Sequence, residues 1–270
     1  LNRRREKVAK ETVVAGFTKV KSGIRNKRLV VAVEGREKDG KTSFALSAPA
    51  PIAIFNLDTG LEGVVEKLAD EKEIIQCEVE YRDATNQNEW TKMWEQIKKN
   101  YYAALKSNVR TLVMDTASEM WELIRLARFG KLTQVMPHHY GPVNTEFRDL
   151  IRAIYKTDKN LILLHKLKDE YINDKKTGKF ERAGFKDVAY QVQVNLRVWR
   201  KPDEDEEPKR RRGGGVALTD DIAHTGNFGF TVIDCRQDAS LAGVEMVEPL
   251  NTFSMLAQQV YPETTDEDWE

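Results

Sequence analysis

Four short apolar runs punctuate the first two thirds of the chain: Leu29–Glu34, Ile52–Leu57, Thr111–Asp115 and Asn160–Leu164. Each is five or six residues long and rich in β-branched or large aliphatic residues, without polar alternation. That pattern predicts strands buried on both faces. Between them, apolar residues recur at helical spacing. Trp90, Met93, Trp94, Ile97, Tyr101 and Leu105 lie on one face of a helix over Glu89–Lys106, where core packing explains the stripe. Helices are also predicted after Lys41 and over Leu61–Ala69, Ala117–Phe129 and Asn144–Tyr155, with a short strand over Glu73–Val79. Gly130–Pro142 is expected as a loop carrying His138, His139 and Tyr140. Strands alternating with helices predict an α/β fold with a mainly parallel central sheet flanked by helices.

From Lys166 the character changes. Polar, glycine-containing stretches alternate with two strand patterns, Tyr190–Arg200 and Phe228–Cys235, which predict a C-terminal β-hairpin region. Between them KPDEDEEPKRRRGGG (201–215) is blocked in charge and bounded by Pro and Gly, as an exposed loop would be. Leu250–Val260 predicts a last helix. The expected organisation is a basic extension over 1–27, a core over 28–240 with an exposed charged loop at 201–216, and a helix with an acidic tail over 241–270.

A chain of 270 residues can bury a sizeable core without disulfides or metals. The apolar fraction is 40% and no run approaches the ~20 residues of a membrane span. No signal-peptide pattern opens the sequence, and the two cysteines, Cys77 and Cys235, have no metal-ligand spacing. A reducing cytosol, without membrane partners, is the expected setting. Lys+Arg and Asp+Glu both total 43, so net charge does not point to a polyanion. Its distribution is uneven: residues 1–28 are basic and the final YPETTDEDWE is acidic. Two solvated termini explain this as well as polyanion binding does.

One segment carries specific chemistry. Gly35-Arg36-Glu37-Lys38-Asp39-Gly40-Lys41-Thr42, followed by Ser43, matches the phosphate-binding pattern G-x-x-x-x-G-K-[ST]. The glycines allow a turn whose backbone N–H groups converge on phosphate oxygens, and the following helix presents its positive end. Lys41 neutralises the β- and γ-phosphates, and the Thr42 hydroxyl is a Mg²⁺ ligand. A chance match in a chain this long has a probability of about 1%. A predicted strand before the loop and a helix after it support ATP with Mg²⁺ as the bound species. Asp115, ending TLVMD, is the matching carboxylate that holds Mg²⁺ through water.

The layout resembles the RecA/DnaB-type core, and in particular the bacteriophage RecA-core ATPases grouped with single-strand annealing and recombination proteins. The resemblance spans about residues 28–240. Thr116 after Asp115 lacks the Asp-Glu pair of AAA+ machines, and no guanine-specific Asn/Thr-Lys-x-Asp is evident. In RecA-type cores the catalytic carboxylate ends the strand after the phosphate-loop helix, often within Asp-Thr-Glu-Gly. This chain reads Asp58-Thr59-Gly60-Leu61-Glu62 there, so the resemblance implies Asp58 as the water-orienting group, with Glu62 second and Glu34 an outsider. The departure leaves open a weak ATPase or a slow nucleotide switch, such as a helicase loader or replication accessory factor. A nucleotide or small-molecule kinase is a third reading, disfavoured because Lys209–Arg212 abuts five acids and makes a poor lid.

The same resemblance implies a γ-phosphate sensor at His165 and a trans-acting arginine finger at Arg236, although Asp234 stands where the hairpin's lysine would be. It also implies binding of single-stranded DNA by a ring or filament of subunits in recombination, annealing or replication, beside a single-strand binding or replication protein. A phage-encoded chain would act in the host cell cytoplasm. The DNA-facing groups would lie after the Asp115 helix (Arg128, Lys131, His138, His139, Tyr140) and after the sensor strand. The second set is Lys166, Lys168, Lys175, Lys176, Lys179, Phe180, Arg182, Phe185 and Lys186. Basic and aromatic residues interleave in both, as strand binding requires. A solvated hairpin and a charged loop are the alternative. The His138–His139 pair has no third ligand in view for zinc.

Overall fold

The computed structural model describes residues 27–58, 61–132, 134, 136–173, 175–201 and 227–269. The basic extension over 1–26, the charged loop from 202 onward with its Lys209–Arg212 cluster, and the Thr59-Gly60 pair lie outside the described residues.

The elements run β1 (Val30–Gly35), α1 (Lys41–Leu46), β2 (Ile52–Asn56), β3 (Ile74–Glu78), α2 (Gln87–Lys106) and β4 (Thr111–Asp115). They continue with α3 (Ala117–Phe129), α4 (Pro137–Ile154), β5 (Asn160–Ile172), β6 (Lys175–Arg182) and β7 (Val194–Arg200). The chain closes with β8 (Phe228–Cys235), β9 (Glu245–Val247) and α5 (Phe253–Val260). The sheet order is β3-β2-β4-β5-β1-β7-β8-β9, with β6 paired to the outer part of β5. β3, β2, β4, β5, β1 and β7 are parallel, and the later strands antiparallel. The mainly parallel α/β sheet and the C-terminal antiparallel strands are thus as the sequence predicts.

The apolar runs are buried on both faces because helices cover both. Val30, Ala32, Leu112, Met114, Leu161 and Leu163 pack with Trp90, Leu123 and Phe147 under α2, α3 and α4. Val31, Val33, Val113, Ile162 and Leu164 pack on the other face with Phe44, Phe253 and Leu256 of α1 and α5. Side-chain alternation along each strand therefore assigns every neighbouring residue to one layer or the other.

Four local expectations are corrected. Leu61–Ala69 forms successive turns instead of a helix. Residues 137–142 belong to α4, which starts at Pro137 and contains Pro142; the fixed φ of proline suits a helix's first position. The strand of His165 continues to Ile172 and, with β6, forms a twisted β-hairpin in place of a loop. The acidic tail is anchored: Trp269 is buried, stacked on Tyr261 at 5.8 Å and edge-on to Phe253 at 6.2 Å. Residues 241–269 thereby supply β9 and α5 to the same sheet and core. Among the described residues, no helix is long and apolar enough to cross a membrane.

Candidate functional site

β1 delivers Gly35 to the carboxyl end of the parallel sheet, and the phosphate-loop pattern occupies the turn into α1. Its two glycines meet different demands. A Cβ on Gly35 would lie 2.4 Å from Cγ2 of Val198 on the adjoining β7, so the close strand approach excludes a side chain. Gly40 sits at φ +88°, a left-handed conformation that favours glycine, with the Phe228 ring 3.0 Å from where its Cβ would be. Within the turn, Asp39 is buried and accepts a hydrogen bond from the Arg36 N–H at 2.9 Å. Among the described residues no side chain caps α1, which leaves first-turn N–H groups for a ligand.

Lys41 donates to the carbonyl of Gly35 at 3.0 Å and to that of Arg36. Burial lowers its pKa, against the opposing charges of Asp39 and Asp115, and the nearby Lys166 cation adds to the lowering. Thr42 donates through Oγ1 to Oδ2 of Asp115 at 2.8 Å. β5 lies between β1 and β4, so Asp115 reaches Thr42 from two strands away. Burial raises the Asp115 pKa, with the Thr42 hydrogen bond and Lys41 working the other way. The hard oxygen donors expected for Mg²⁺, a hydroxyl and a carboxylate, thus converge at one point. Mg²⁺ sites of this kind take few protein ligands and fill the remainder from phosphates and water, and this donor set fits.

These residues line a cavity of about 680 Å³ together with Asp58, Thr116 and Lys166, its apolar wall coming from Val64, Leu167 and Phe228. That volume falls in the range of small-molecule sites. Asp58 follows β2 and forms an ion pair with Lys166 at 2.7 Å. The Lys166 ammonium also contacts Glu119, on the first turn of α3, at 2.6 Å. Burial would lower the Lys166 pKa, but the hydrogen bonds and charges of Asp58 and Glu119 outweigh it and raise the value.

The remaining predicted site residues are placed as follows. Arg36, Glu37, Lys38 and Ser43 line the phosphate cavity. Glu62 is exposed and lines an adjoining pocket of about 450 Å³ with Glu66, Glu78 and Arg82, which shares Asp58 with the phosphate cavity; Glu62 itself does not line the cavity of Lys41. Glu34 is buried on the opposite face of the sheet, paired with Arg182 and Arg197, which removes it from the water-activating role. His165 is fully buried, on the same face as Leu163, and among the described residues neither ring nitrogen makes a well-formed hydrogen bond. Alternation along β5 puts Leu164 and Lys166, not His165, on the α1 face that carries the phosphate loop. Burial and the Arg182 cation hold His165 well below the ordinary imidazole range, with a backbone contact at Ala183 opposing them. Arg236 lies beyond β8, at the sheet end opposite Gly35, and donates to the Tyr190 carbonyl at 2.5 Å; it does not reach its own chain's phosphate loop.

The predicted DNA-facing residues separate into two groups. Arg128 pairs with Glu146, Lys131 lies 5.7 Å over the Trp90 ring, and His139 accepts from the Met136 N–H at 2.9 Å. Tyr140 stacks on Trp121 at 5.7 Å and keeps an exposed edge. Arg182 is buried against Glu34, and Lys166 sits in the phosphate cavity, so neither faces outward as a loop cation would. Lys168 and Lys176 pair with Glu181 and Asp169 on the hairpin, and Lys175 and Lys179 are exposed on it. Sequence reading missed the Lys166–Asp58–Glu119 cluster, although counting by two from Leu164 points to it.

The AAA domain family is matched over residues 27–201. No curated protein matches the chain significantly. The matched span runs from the strand before the phosphate loop through β7, covering the loop, Asp58, Asp115 and Lys166, and by that match the chain belongs to the AAA domain family, a family of nucleotide-binding P-loop ATPases.

Proposed function

We propose that this chain is a Mg²⁺-dependent, RecA-like ATPase that binds single-stranded DNA and works as a ring or filament of identical subunits in recombination, annealing or replication. The observation that carries the DNA reading is the β5–β6 hairpin. It rises from the same sheet end as the phosphate loop and exposes Tyr171, Ile172, Lys175 and Lys179. Ammonium groups for phosphates and an aromatic face for a base are the two components that sequence-tolerant strand binding needs. The hairpin root also touches the nucleotide loop, since the Arg36 guanidinium lies 4.3 Å over the Phe180 ring. That contact gives nucleotide occupancy a route to the DNA-facing arm.

Bound Mg²⁺ would sit against Thr42 and, through water, Asp115, and would neutralise charge on the phosphate oxygens. Lys41 would hold the same oxygens, and the role of orienting a water is assigned to Asp58, a reading supported by its place in the lining of the same cavity. The ion pair between Asp58 and Lys166 favours slow turnover, because a carboxylate engaged by an ammonium is a poorer hydrogen-bond acceptor for water. A slow switch that changes partners on binding ATP, in the manner of a loader or replication accessory factor, is therefore the second reading.

The experiment measures binding of a single-stranded oligonucleotide at low salt, with and without ATP and Mg²⁺, alongside ATP turnover and mass in solution. DNA-stimulated turnover and nucleotide-dependent binding support the first reading. Tight nucleotide binding with negligible turnover supports the second. An absence of DNA binding with ATP and Mg²⁺ present would sink the DNA role. Lys41→Ala serves as the control that removes nucleotide binding under either reading.

A further inference from the structure

We infer that Lys166 is the group that distinguishes a nucleoside triphosphate from a diphosphate, by leaving its ion pair with Asp58 for the terminal phosphate. The inference rests on the nucleotide reading of the cavity and adds to it the residue that reads the third phosphate.

The position of Lys166 is set by strand geometry. It follows Leu164 by two residues on β5, so it shares the α1 face with that leucine, and β5 adjoins the phosphate-loop strand β1. Its main chain is fixed from both sides: the Lys166 N–H donates to Ser118 Oγ at 3.1 Å, and its carbonyl accepts from the Ala183 N–H at 2.8 Å. The side chain lines the cavity with Lys41, Thr42 and Asp115. Its ammonium bridges Asp58 at 2.7 Å and Glu119 at 2.6 Å.

Two carboxylates on one half-buried ammonium make a site that a phosphate can compete for. Glu119 has other partners, Arg82 at 2.8 Å and the Tyr81 hydroxyl, so it keeps compensation when Lys166 moves. Among the described residues, Asp58's ion pair is with Lys166. A dianionic phosphate end draws the ammonium by charge-assisted hydrogen bonding. Asp58 is then released to accept a hydrogen bond from water. In this motif the lysine and the Mg²⁺ on the hydroxyl serve the β- and γ-phosphates. Lys166 and Asp58 line the same cavity, close enough to Lys41 and Asp115 to act on their charges, so the terminal phosphate would come to this end of the cavity. His165 is sealed under α3 and α4 and carries no part of this role.

The test is calorimetric titration of wild type, Lys166→Met, Lys166→Arg and Asp58→Asn with ADP and with a non-hydrolysable β,γ-imido ATP analogue, both with Mg²⁺. Lys166→Met is expected to bind ADP within about twofold of wild type and the analogue about tenfold more weakly, one charge-assisted contact being worth that factor. Lys166→Arg should keep much of the analogue affinity. Asp58→Asn should raise analogue affinity without changing ADP, because it removes the competitor and a like charge. An unchanged ratio of the two affinities in Lys166→Met and Asp58→Asn overturns the inference, as does an equal loss of both ligands in Lys166→Met. Wild-type protein that binds neither ligand overturns the nucleotide reading itself.

Discussion

The guanidinium of Arg182 donates through Nε to Oε2 of Glu34 at 3.1 Å, joining the root of the β5–β6 hairpin to the residue immediately before Gly35. Both side chains are nearly buried, at 9% and 6% exposure. The other oxygen of Glu34 accepts from Arg197, and Arg182 also donates to Asn195 at 3.0 Å. With Phe180 packed under Arg36, the residues on both sides of Gly35 are tied to β6.

Removing one member of a buried ion pair leaves its partner uncompensated, which costs about 3–5 kcal/mol. Arg182→Met should fall at the low end of that range, about 3 kcal/mol, because Arg197 still faces Glu34. Glu34→Gln removes the ion-pair partner of Arg182 and leaves the more weakly acting Asp234 carboxylate as its counter-charge, so it should cost a similar amount. Denaturant midpoints of the two single variants and the double variant check this. The double variant is expected to be less destabilised than the sum of the two, since the uncompensated charge is gone.

His165 makes stability pH-dependent in a defined direction. Its folded pKa is held well below the ordinary 6.5 by burial and Arg182. Below about pH 6.5 the unfolded chain therefore binds a proton that the folded chain does not. Stability attributable to this residue is complete above that pH and falls by up to about 1.4 kcal/mol per pH unit as acid is added. His165→Leu should flatten this part of the profile. It should also stabilise the fold at neutral pH by about 1 kcal/mol, because two buried ring nitrogens that fall short of well-formed hydrogen bonds, the Ala183 backbone contact included, disappear. Urea unfolding at pH 5.5 and 7.5 for the two proteins measures both effects.

Sequence legibility followed burial. β4 and α3 are found at the bounds their patterns predict because both carry strong apolar periodicity, and Thr116 caps α3 by accepting from the Glu119 N–H. The outer hairpin was illegible for the opposite reason. KLKDEYI and KKTGKFER have no buried face to impose a period, so pairing alone makes them strands. Pro142 and Gly141 looked like loop punctuation, but Val143, Phe147 and Leu150 bury one face of α4 and carry the helix through them. At the site, the phosphate loop and Asp115 were readable as motifs. Asp58's ion pair was not, because Glu119 and Lys166 come together only when β5 is placed between β1 and β4.

Placement separates the two carboxylates offered for water activation. Asp58 lines the phosphate cavity as well as the adjoining pocket, whereas Glu62 is exposed and lines the adjoining pocket alone. Asp58→Asn is expected to lower kcat about a hundredfold, the lower end of what a positioned acid–base group contributes, without weakening nucleotide binding. Glu62→Gln should leave kcat within about twofold of wild type. Steady-state turnover at saturating ATP decides the assignment, and the opposite pattern would return the role to Glu62.

The hairpin surface makes a quantitative forecast for DNA. Each lysine that neutralises a phosphate contributes about 0.7 to the slope of log affinity against log salt on a single strand. Lys175→Ala and Lys179→Ala should each reduce that slope by about 0.7 and weaken binding at low salt. Tyr171, 61% exposed, is the residue available for stacking; Tyr171→Ala should cost about 1–3 kcal/mol of binding with little change in slope. Arg182 is occupied by Glu34 and Lys166 by Asp58 and Glu119, so substituting them should leave the salt slope unchanged. Fluorescence anisotropy of a labelled oligonucleotide over a salt series distinguishes these patterns, and a slope that responds to Arg182 but not to Lys179 would move the DNA path off the hairpin tip.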